Sequence, residues 1–498
     1  MNVNPITRLD YPDLDVIRVE DTYYMVSTTM HFMPGCEILQ SFDLVHWEHV
    51  TYVYETLDHT DAQQLKSGQN IYGQGMWAAS LRYHEGRFCI CFVANDTRKT
   101  YLYTSKKIDG PWKKQLIEGF YHDGSLLFDE DGRNYIVYGN DEIWITELNE
   151  DLTAPKKDGL HRLLVSDHKN PELGYEGSHI QKINGYYYIF LVHSLRDRWM
   201  RTEACFYSDS LEGEFTGGDV LCDDRGYCGQ GVAQGGIVDT PDGKWYAMLF
   251  QDSGAVGRIP ILLPVTWKDH FPFFGQNGHV PEEIEVHSTR PGYIYQPLVG
   301  SDDFCNGLLP RWQFNHDPDP RYYHLDALQG TYTITTREVC TELTQAVNTL
   351  TQRMSYPSCA AEVTVDASAL KEGDVAGLCA LQSCYAAVGI TKHHGKYEVL
   401  MLDKKEDGIL DMTEGTVVES HQMDFRLEAD FCNMKDEARC YYRVNKGDWL
   451  PIGTVHKLYF KLDHFTGCRF GLFCYAAEET GGSACFRDFK YYDVDEIS

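Results

Sequence analysis

The sequence predicts an all-β protein in which a five-bladed β-propeller is followed by a jelly-roll-like β-sandwich. The first observation behind this fold class is that a short turn followed by an aromatic, β-branched strand occurs five times in the 498-residue chain. The second is that these turns, at positions 21, 86, 132, 185 and 243, are 46 to 65 residues apart, which suits four-stranded blades without long helices. The third is that the repeat is lost beyond residue 302 although strand-like segments continue.

The five repeats follow one another in chain order. They are Glu20–Val26, Glu85–Ile90, Asp131–Val137, Asn184–Ile189 and Asp242–Ala247. Asn-Gly and Asp-Gly between strands are strong hairpin signals. A third strand and a second turn follow each hairpin, most clearly at Ser41–Trp47 and Ser105–Trp112. Each repeat is therefore predicted to form one antiparallel blade.

The chain is predicted to contain two domains. The propeller is assigned to residues 1–285, because the segment Pro281–Tyr293 resembles a strap between modules. Residues 286–301 are assigned to a linker. Residues 302–498 are assigned to the β-sandwich, because segments such as Tyr397–Leu402 and Cys468–Phe473 have strand-like composition without the repeat.

Composition argues against several classes of partner. Lysine and arginine number 44 against 74 aspartate and glutamate residues, so the formal charge of −30 repels nucleic acids and anionic membrane surfaces. No apolar run approaches the roughly 20 residues of a membrane-spanning helix. The N-terminal residues lack the basic and apolar segments of a secretory signal, so a cytoplasmic location is expected. Most of the 16 cysteines are accordingly expected to be reduced core residues.

The start of each inner strand is where a propeller places residues around its channel mouth. Nine residues before the turn glycines of blades 2 to 5 lie Trp77, Asp123, Glu176 and Gln234, and eight residues before Asp21 lies Asp13. Three carboxylates and a tryptophan are thus predicted to share one ring of equivalent positions. Because clustered carboxylates repel one another, this arrangement indicates function. The alternative is that each is an ordinary turn residue.

Glycoside hydrolysis is the chemistry that needs such a set of carboxylates. One carboxylic acid protonates the leaving oxygen while an opposed carboxylate deprotonates a water molecule. A third carboxylate can keep the acid protonated near neutral pH. Aromatic rings then stack on the apolar faces of the sugar.

Several segments also resemble glycoside hydrolase family 43, in particular its β-xylosidases and α-L-arabinofuranosidases that carry a C-terminal β-sandwich. They are Tyr11–Asp13, Met33–Gly35, Ser41–Trp47, Met76–Leu81, Asp123–Leu126, Tyr175–Ile180, Gly257–Arg258, Leu263–Trp267 and Trp312–Asp319. The resemblance covers both domains in order. It implies Asp13 as general base, Asp123 as modulator of the acid's pKa, and Glu176 as general acid.

The resemblance also implies how the sugar is bound. Arg258 would contact the hydroxyls of the sugar, and Trp77 and Phe32 would stack against it. Gln234 stands in Gln234-Gly235-Gly236 where many relatives have a Gly-His-Gly segment, whose histidine lies on the channel axis. An amide cannot act as an imidazole, so any metal there is expected to be structural or missing.

The shape of the pocket follows from the same residues. Phe32, Met33, Trp77 and Arg258 are expected to crowd one end of the channel, with Phe314 of the sandwich reaching the rim. Apolar walls around a single sugar leave few further subsites. The pocket is therefore expected to be closed on one side, and cleavage to release one terminal sugar at a time.

The sequence thus favours an exo-acting, inverting glycosidase that releases β-D-xylose or α-L-arabinofuranose from short oligosaccharides of xylan or arabinan. No cofactor is expected to be required, because carboxylates supply both the acid and the base. A structural calcium ion near Asp302, Asp303 or Asp488 stays open, as do a homo-oligomer and the choice of sugar. The alternative function is a non-catalytic carbohydrate-binding protein on the same fold.

Overall fold

Five four-stranded antiparallel sheets form the first part of the chain in the computed structural model, which describes residues 2–493. Blade 1 contains Asp15–Val19, Thr22–Val26, Gly35–Ser41 and Glu48–Tyr54, and blade 2 contains Met76–His84, Arg87–Ala94, Lys99–Ser105 and Lys113–Ile117. Blade 3 contains Ser125–Phe128, Asn134–Asn140, Glu142–Leu148 and His161–Ser166, and blade 4 contains Glu176–Ile183, Tyr186–Ser194, Arg201–Ser208 and Thr216–Leu221. Blade 5 contains Val232–Asp239, Trp245–Asp252, Arg258–Lys268 and Phe271–Phe274. The predicted five-bladed propeller is confirmed.

The predicted turns join the two innermost strands of every blade. Glycines 86, 132, 185 and 243 have φ between 72° and 85°, a left-handed conformation that glycine adopts at little cost. In blade 1, Glu20 takes this conformation with φ of 56°. The turn therefore fixes where each inner strand ends, and with it the register of the residues that precede the strand.

The ends of the propeller meet beside blade 5. The two-residue strand Asn2–Val3 pairs with Glu283–Ile284, which follows the last blade. The Asn4 side chain donates hydrogen bonds to the carbonyls of Leu262 and Pro281. The segment beyond this point runs along blade 1, where the backbone N–H of Phe42 donates to the Tyr295 hydroxyl.

The second domain is a sandwich of two antiparallel sheets. One sheet contains Leu410–Met412, Thr416–Val418, Lys396–Lys404, Tyr385–His393, Asp374–Leu381, Arg469–Ala476, Leu350–Arg353 and Gln313–Asn315. The other contains Tyr323–Asp326, Thr331–Thr335, Ser483–Asp493, Ser358–Asp366, Gln422–Asp430, Glu437–Val444 and Leu450–Lys457. Alternate side chains of both sheets fill one apolar core between them. Short 3₁₀ helices lie at Lys66–Gly68, Gly254–Val256, Leu343–Gln345 and Cys432–Met434.

Asp302 anchors the start of the sandwich. Its two carboxylate oxygens accept hydrogen bonds from the indole N–H of Trp312 and the backbone N–H of Phe304, both at 2.8 Å. A buried carboxylate needs such partners, and the protein supplies them here. A structural calcium ion near Asp302, Asp303 or Asp488 stays open. No helix within residues 2–493 is long and apolar enough to cross a membrane.

The two domains share a sheet. Phe32–Met33, which lies between the second and third strands of blade 1, pairs with Phe314 and Asn315 and becomes the edge strand of the first sandwich sheet. The expectation that Phe314 reaches the pocket rim is wrong, because its side chain packs in the sandwich core. Its backbone instead joins the domains.

Three buried histidines lie beside this shared strand. The ring of His31 from the propeller is centred 4.8 Å from that of His316 and 5.4 Å from that of His464, both from the sandwich. Burial lowers the pKa of His316 to about 3 and that of His464 to about 4, and it lowers the pKa of His31 well below its usual value. All three rings are therefore neutral at the domain junction near pH 7.

We expect acid to weaken the folded state through this cluster. Between about pH 4 and the ordinary histidine pKa of about 6.5, the unfolded chain binds protons that the folded chain excludes, so the free energy of unfolding falls as pH falls. His464→Gln should reduce this slope by about 1 kcal/mol per pH unit. Urea unfolding at several pH values measures it, with the exposed His393→Gln as control. Equal slopes for all three proteins would contradict the expectation.

Candidate active site

A pocket of about 190 Å³ lies at one mouth of the propeller channel. All five residues predicted to share one ring of positions line it, namely Asp13, Trp77, Asp123, Glu176 and Gln234. Arg258, predicted to bind the sugar, also lines it. The other lining residues are His122, Asn140, Leu173, Arg201, Leu462 and Phe465.

Local backbone geometry directs these side chains into the channel. Asp13, Asp123 and Gln234 have φ of 52°, 48° and 66°, a left-handed conformation that is uncommon for residues other than glycine and clusters at functional sites. The inner strands of blades 2, 4 and 5 also carry an irregularity in register, at Met76–Ala79, Glu176–His179 and Ala233–Gly236. Such bulges reorient a side chain at the end of a strand.

Gly177 shows how tightly these bulges pack. Its φ is 66°, and a Cβ atom added there would lie 2.7 Å from Cγ of Gln234. A side chain at this position would therefore displace Gln234 from the channel. Its backbone N–H donates to Asp123 at 3.0 Å, so the bulge that presents Glu176 also orients the neighbouring carboxylate.

Four alternating charges cross the floor of the pocket. Arg258 bridges Asp13 and Asp252, and Arg201 contacts the other oxygen of Asp252 at 3.0 Å. All four side chains are at most 5% exposed. The second oxygen of Asp13 accepts a 2.6 Å hydrogen bond from Thr28. Buried charges require such partners, and together they hold Asp13 in one orientation.

Arg201 retains an unused donor. Its Nη1 is buried and lacks a hydrogen-bond partner among the described residues. An unpaired buried donor is costly, so its place in the lining of the pocket suits it to a polar group of a bound molecule.

A second cluster surrounds Glu176. His122 Nε2 lies 3.6 Å from an oxygen of Asp123 and 3.6 Å from an oxygen of Glu176. The side-chain amide of Asn140 donates to that same Glu176 oxygen at 2.7 Å. One carboxylate or imidazole atom from each of His122, Asp123 and Glu176 falls within 4.8 Å of the others. The protonation of each of these three groups therefore depends on the charge of the other two.

Burial and charge set the protonation of this cluster. The Asp123 carboxylate raises the pKa of His122 to about 9. Burial raises the pKa of Asp123 to about 6, against the opposing charge of His122. Burial also acts to raise the pKa of Glu176, but the nearby positive charge of His122 and the charges of Arg201 and Arg258 act against burial, and this pKa is lowered. Near neutral pH both ring nitrogens of His122 are protonated, and the imidazole is positively charged.

Several lining residues could not be identified from the sequence. Arg201 begins the third strand of blade 4 and therefore lies outside the inner strands, whose first residues the turns locate. Leu462 and Phe465 lie on a loop of the sandwich, and the Phe465 ring packs 5.2 Å from Trp77 and 4.0 Å from the Arg258 guanidinium. His122 directly precedes Asp123, and its adjacency to a candidate carboxylate was the only available signal.

Phe32 does not form a wall of the pocket. Its side chain is 1% exposed and is covered by the Arg469 guanidinium, 3.4 Å from the ring centre. Met33 is also buried outside the lining. The prediction that both crowd the sugar site is wrong, because their strand belongs to the domain junction. Phe465 supplies the aromatic wall instead.

The channel below the pocket narrows to a cavity of about 10 Å³. The Gln234 Oε1 and Ser178 Oγ atoms beside it lack partners among the described residues, and the volume suits one water molecule. Its carboxylates are already engaged, Asp15 by Arg82 and His179, and Asp13 by Arg258. The expectation that any metal beside Gln234 is structural or missing stays a prediction.

A propeller pocket that contains three carboxylates fits the acid and base that glycoside hydrolysis needs. The model of glycosyl hydrolases family 43 matches residues 3–272, and that of the β-xylosidase C-terminal concanavalin A-like domain matches residues 301–492. The chain belongs to glycosyl hydrolase family 43, as its motifs predicted.

Individual relatives agree with this assignment. The chain is 26% identical to a β-xylosidase of Formosa agariphila, over 99% of this chain and 89% of the relative. A bifunctional family 43 protein of Bacteroides eggerthii shares 42% identity and a TM-score of 0.91 over the whole chain. This chain spans 64% of that protein's length. A family 43 enzyme engineered for endo-xylanase and exo-arabinofuranosidase activity shares 27% identity and a TM-score of 0.88, over 99% of both chains.

The charge array on the pocket floor yields a prediction about stability. Asp252→Asn would leave Arg201 and Arg258 buried with too little negative charge, so we expect the free energy of unfolding to fall by about 3 kcal/mol. Asp242→Asn, at an exposed pair with Lys244, should leave it nearly unchanged. Chemical denaturation of both variants measures the difference. Similar stabilities would show that the array does not depend on Asp252.

Proposed function

We propose that this glycosidase removes one terminal pentose, β-D-xylose or α-L-arabinofuranose, from short oligosaccharides with inversion at the anomeric carbon. The observation that carries the proposal is the meeting of Asp13, Asp123 and Glu176 in one small pocket. The names of the relatives, which include both a xylosidase and an arabinofuranosidase activity, support the class of sugar.

In the proposed mechanism, Asp13 is the base. Arg258 and Thr28 engage its two oxygens, which orients the carboxylate toward a water molecule at the anomeric carbon. Glu176 is the acid and protonates the departing glycosidic oxygen. Asp123 accepts a hydrogen bond from the backbone N–H of Gly177, next to Glu176, and the charge of Glu176 acts to raise the pKa of Asp123.

The remaining lining residues would bind the sugar. Trp77 and Phe465 provide aromatic faces at the pocket, while Arg201 Nη1 and Arg258 provide donors for hydroxyl groups. A volume of about 190 Å³ accommodates about one sugar ring. Release of single sugars from a chain end follows from that size.

The stereochemistry of the product tests the role of Asp13. We expect NMR spectra at early times to show α-xylose released from a β-xyloside, because water attacks the face opposite the leaving group. Xylohexaose should yield xylose and xylopentaose first. A retained anomer would contradict Asp13 as base, and a spread of internal fragments would contradict exo action. If the protein binds xylose but hydrolyses neither nitrophenyl β-D-xyloside nor nitrophenyl α-L-arabinofuranoside, the non-catalytic alternative is favoured.

The leaving group tests the role of Glu176. Glu176→Gln should lower kcat/KM for xylobiose by about 10²–10⁴-fold, since that leaving group needs protonation. A 2,4-dinitrophenyl pentoside leaves without it and should lose much less. Glu212→Gln, on the surface of blade 4, is the control for protein quality. Equal losses on the two substrates would exclude Glu176 as the acid.

A further inference from the structure

We propose that His122 is a positioning residue that stores the proton which Glu176 delivers to the leaving group. This inference rests on the proposed function and concerns the acid half of the reaction. It starts from the placement of His122 Nε2 equally far, at 3.6 Å, from the carboxylates of Asp123 and Glu176.

The surroundings leave this nitrogen no other partner. Nε2 is buried and makes no hydrogen bond within the described residues. The imidazole ring packs edge-on against Trp77, with ring centres 6.1 Å apart. The ring is therefore directed at the two carboxylates, which are the only acidic groups near enough to form an ion pair with it among the described residues.

The charge of the cluster explains why a store is needed. Glu176 must carry a proton to act as the acid, yet the neighbouring cation and the Asn140 amide both stabilise its ionised form. At neutral pH the proton consequently lies on His122. A sugar in the pocket displaces water from both groups, and desolvation favours the neutral pair over the ion pair.

The proton transfer balances without any further reactant. The Nε2–H bond of His122 breaks as an O–H bond forms on Glu176 Oε2, which leaves both groups neutral. Glu176 then gives this proton to the glycosidic oxygen as the C–O bond breaks. The proton that water loses to Asp13 is released to solvent, and solvent returns one proton to His122 before the next turnover.

This arrangement predicts the alkaline side of the pH profile. When sites are coupled, the apparent pKa belongs to the cluster and not to one residue. With His122 present, the cluster keeps its last proton to about pH 9. Without it, that proton is shared by Asp123 and Glu176 alone; the pKa of Asp123 is about 6 beside the His122 charge and rises when that charge is removed, while carboxylic acids still titrate below a cationic histidine of this kind.

The experiment compares kcat/KM for xylobiose between pH 4 and 10 in the wild type, His122→Gln and Asn140→Ala. His122→Gln should move the alkaline limb down by at least one pH unit. Asn140→Ala removes a contact to the same Glu176 oxygen without removing a charge, so its limb should stay or move up. A loss of activity in His122→Gln with an unmoved limb would show a merely structural role and overturn the proposal.

A double-mutant comparison makes the test independent of folding. In the Glu176→Gln background, His122→Gln should lower kcat/KM for xylobiose by less than about a further threefold, because His122 then has no carboxylate to which it can pass its proton. Full additivity of the two losses would overturn the proposal. His122→Asn replaces His122→Gln if circular dichroism shows that the latter is unfolded. A wild type inactive on every pentoside would instead refute the proposed function itself.

Discussion

The candidate active site depends on the ion pairs that the buried guanidinium of Arg258 forms. It bridges Asp13 of blade 1 and Asp252 of blade 5, and Phe465 of the sandwich packs over its face. Its backbone is fixed as well, since Asp10 accepts hydrogen bonds from the N–H groups of both Arg258 and Gly467. A buried arginine of this kind is stable only if every neighbouring anion is in place. The first and last blades and the second domain are therefore held together around one charge.

The propeller carries irregular backbone at the site that this charge organises. The end of the inner strands nearest the pocket has bulges and left-handed residues such as Asp13, Asp123 and Gln234. These conformations cost free energy, and the surrounding close packing maintains them, as at Gly177. The benefit is that side chains from five separate blades converge on one pocket of about 190 Å³. Catalytic geometry of this precision requires such rigid support.

The sandwich contributes to the candidate active site. Its loop carries Leu462 and Phe465 to the pocket, and His464 between them packs against His31 of the propeller. The propeller strand Phe32–Met33 also pairs with Phe314 and Asn315 of the sandwich, so one β-sheet includes residues of both domains. Contacts with the propeller at the pocket and at His31 thus hold this loop in place. A propeller alone would lack the wall that Leu462 and Phe465 supply.

The sequence by itself determined the blades, the sandwich and six of the lining residues. Hairpin signals are local, and a fixed distance from each turn leads to the same rim, so counting along the chain located Asp13 and Glu176. It could not locate Phe465, which meets Trp77 across almost 400 residues of chain, or show that Phe32 faces the other domain. Contacts of this kind follow from how two domains pack, a property of three-dimensional shape that no local pattern encodes. The protonation of His122 likewise depends on burial and on charges that only the tertiary structure brings together.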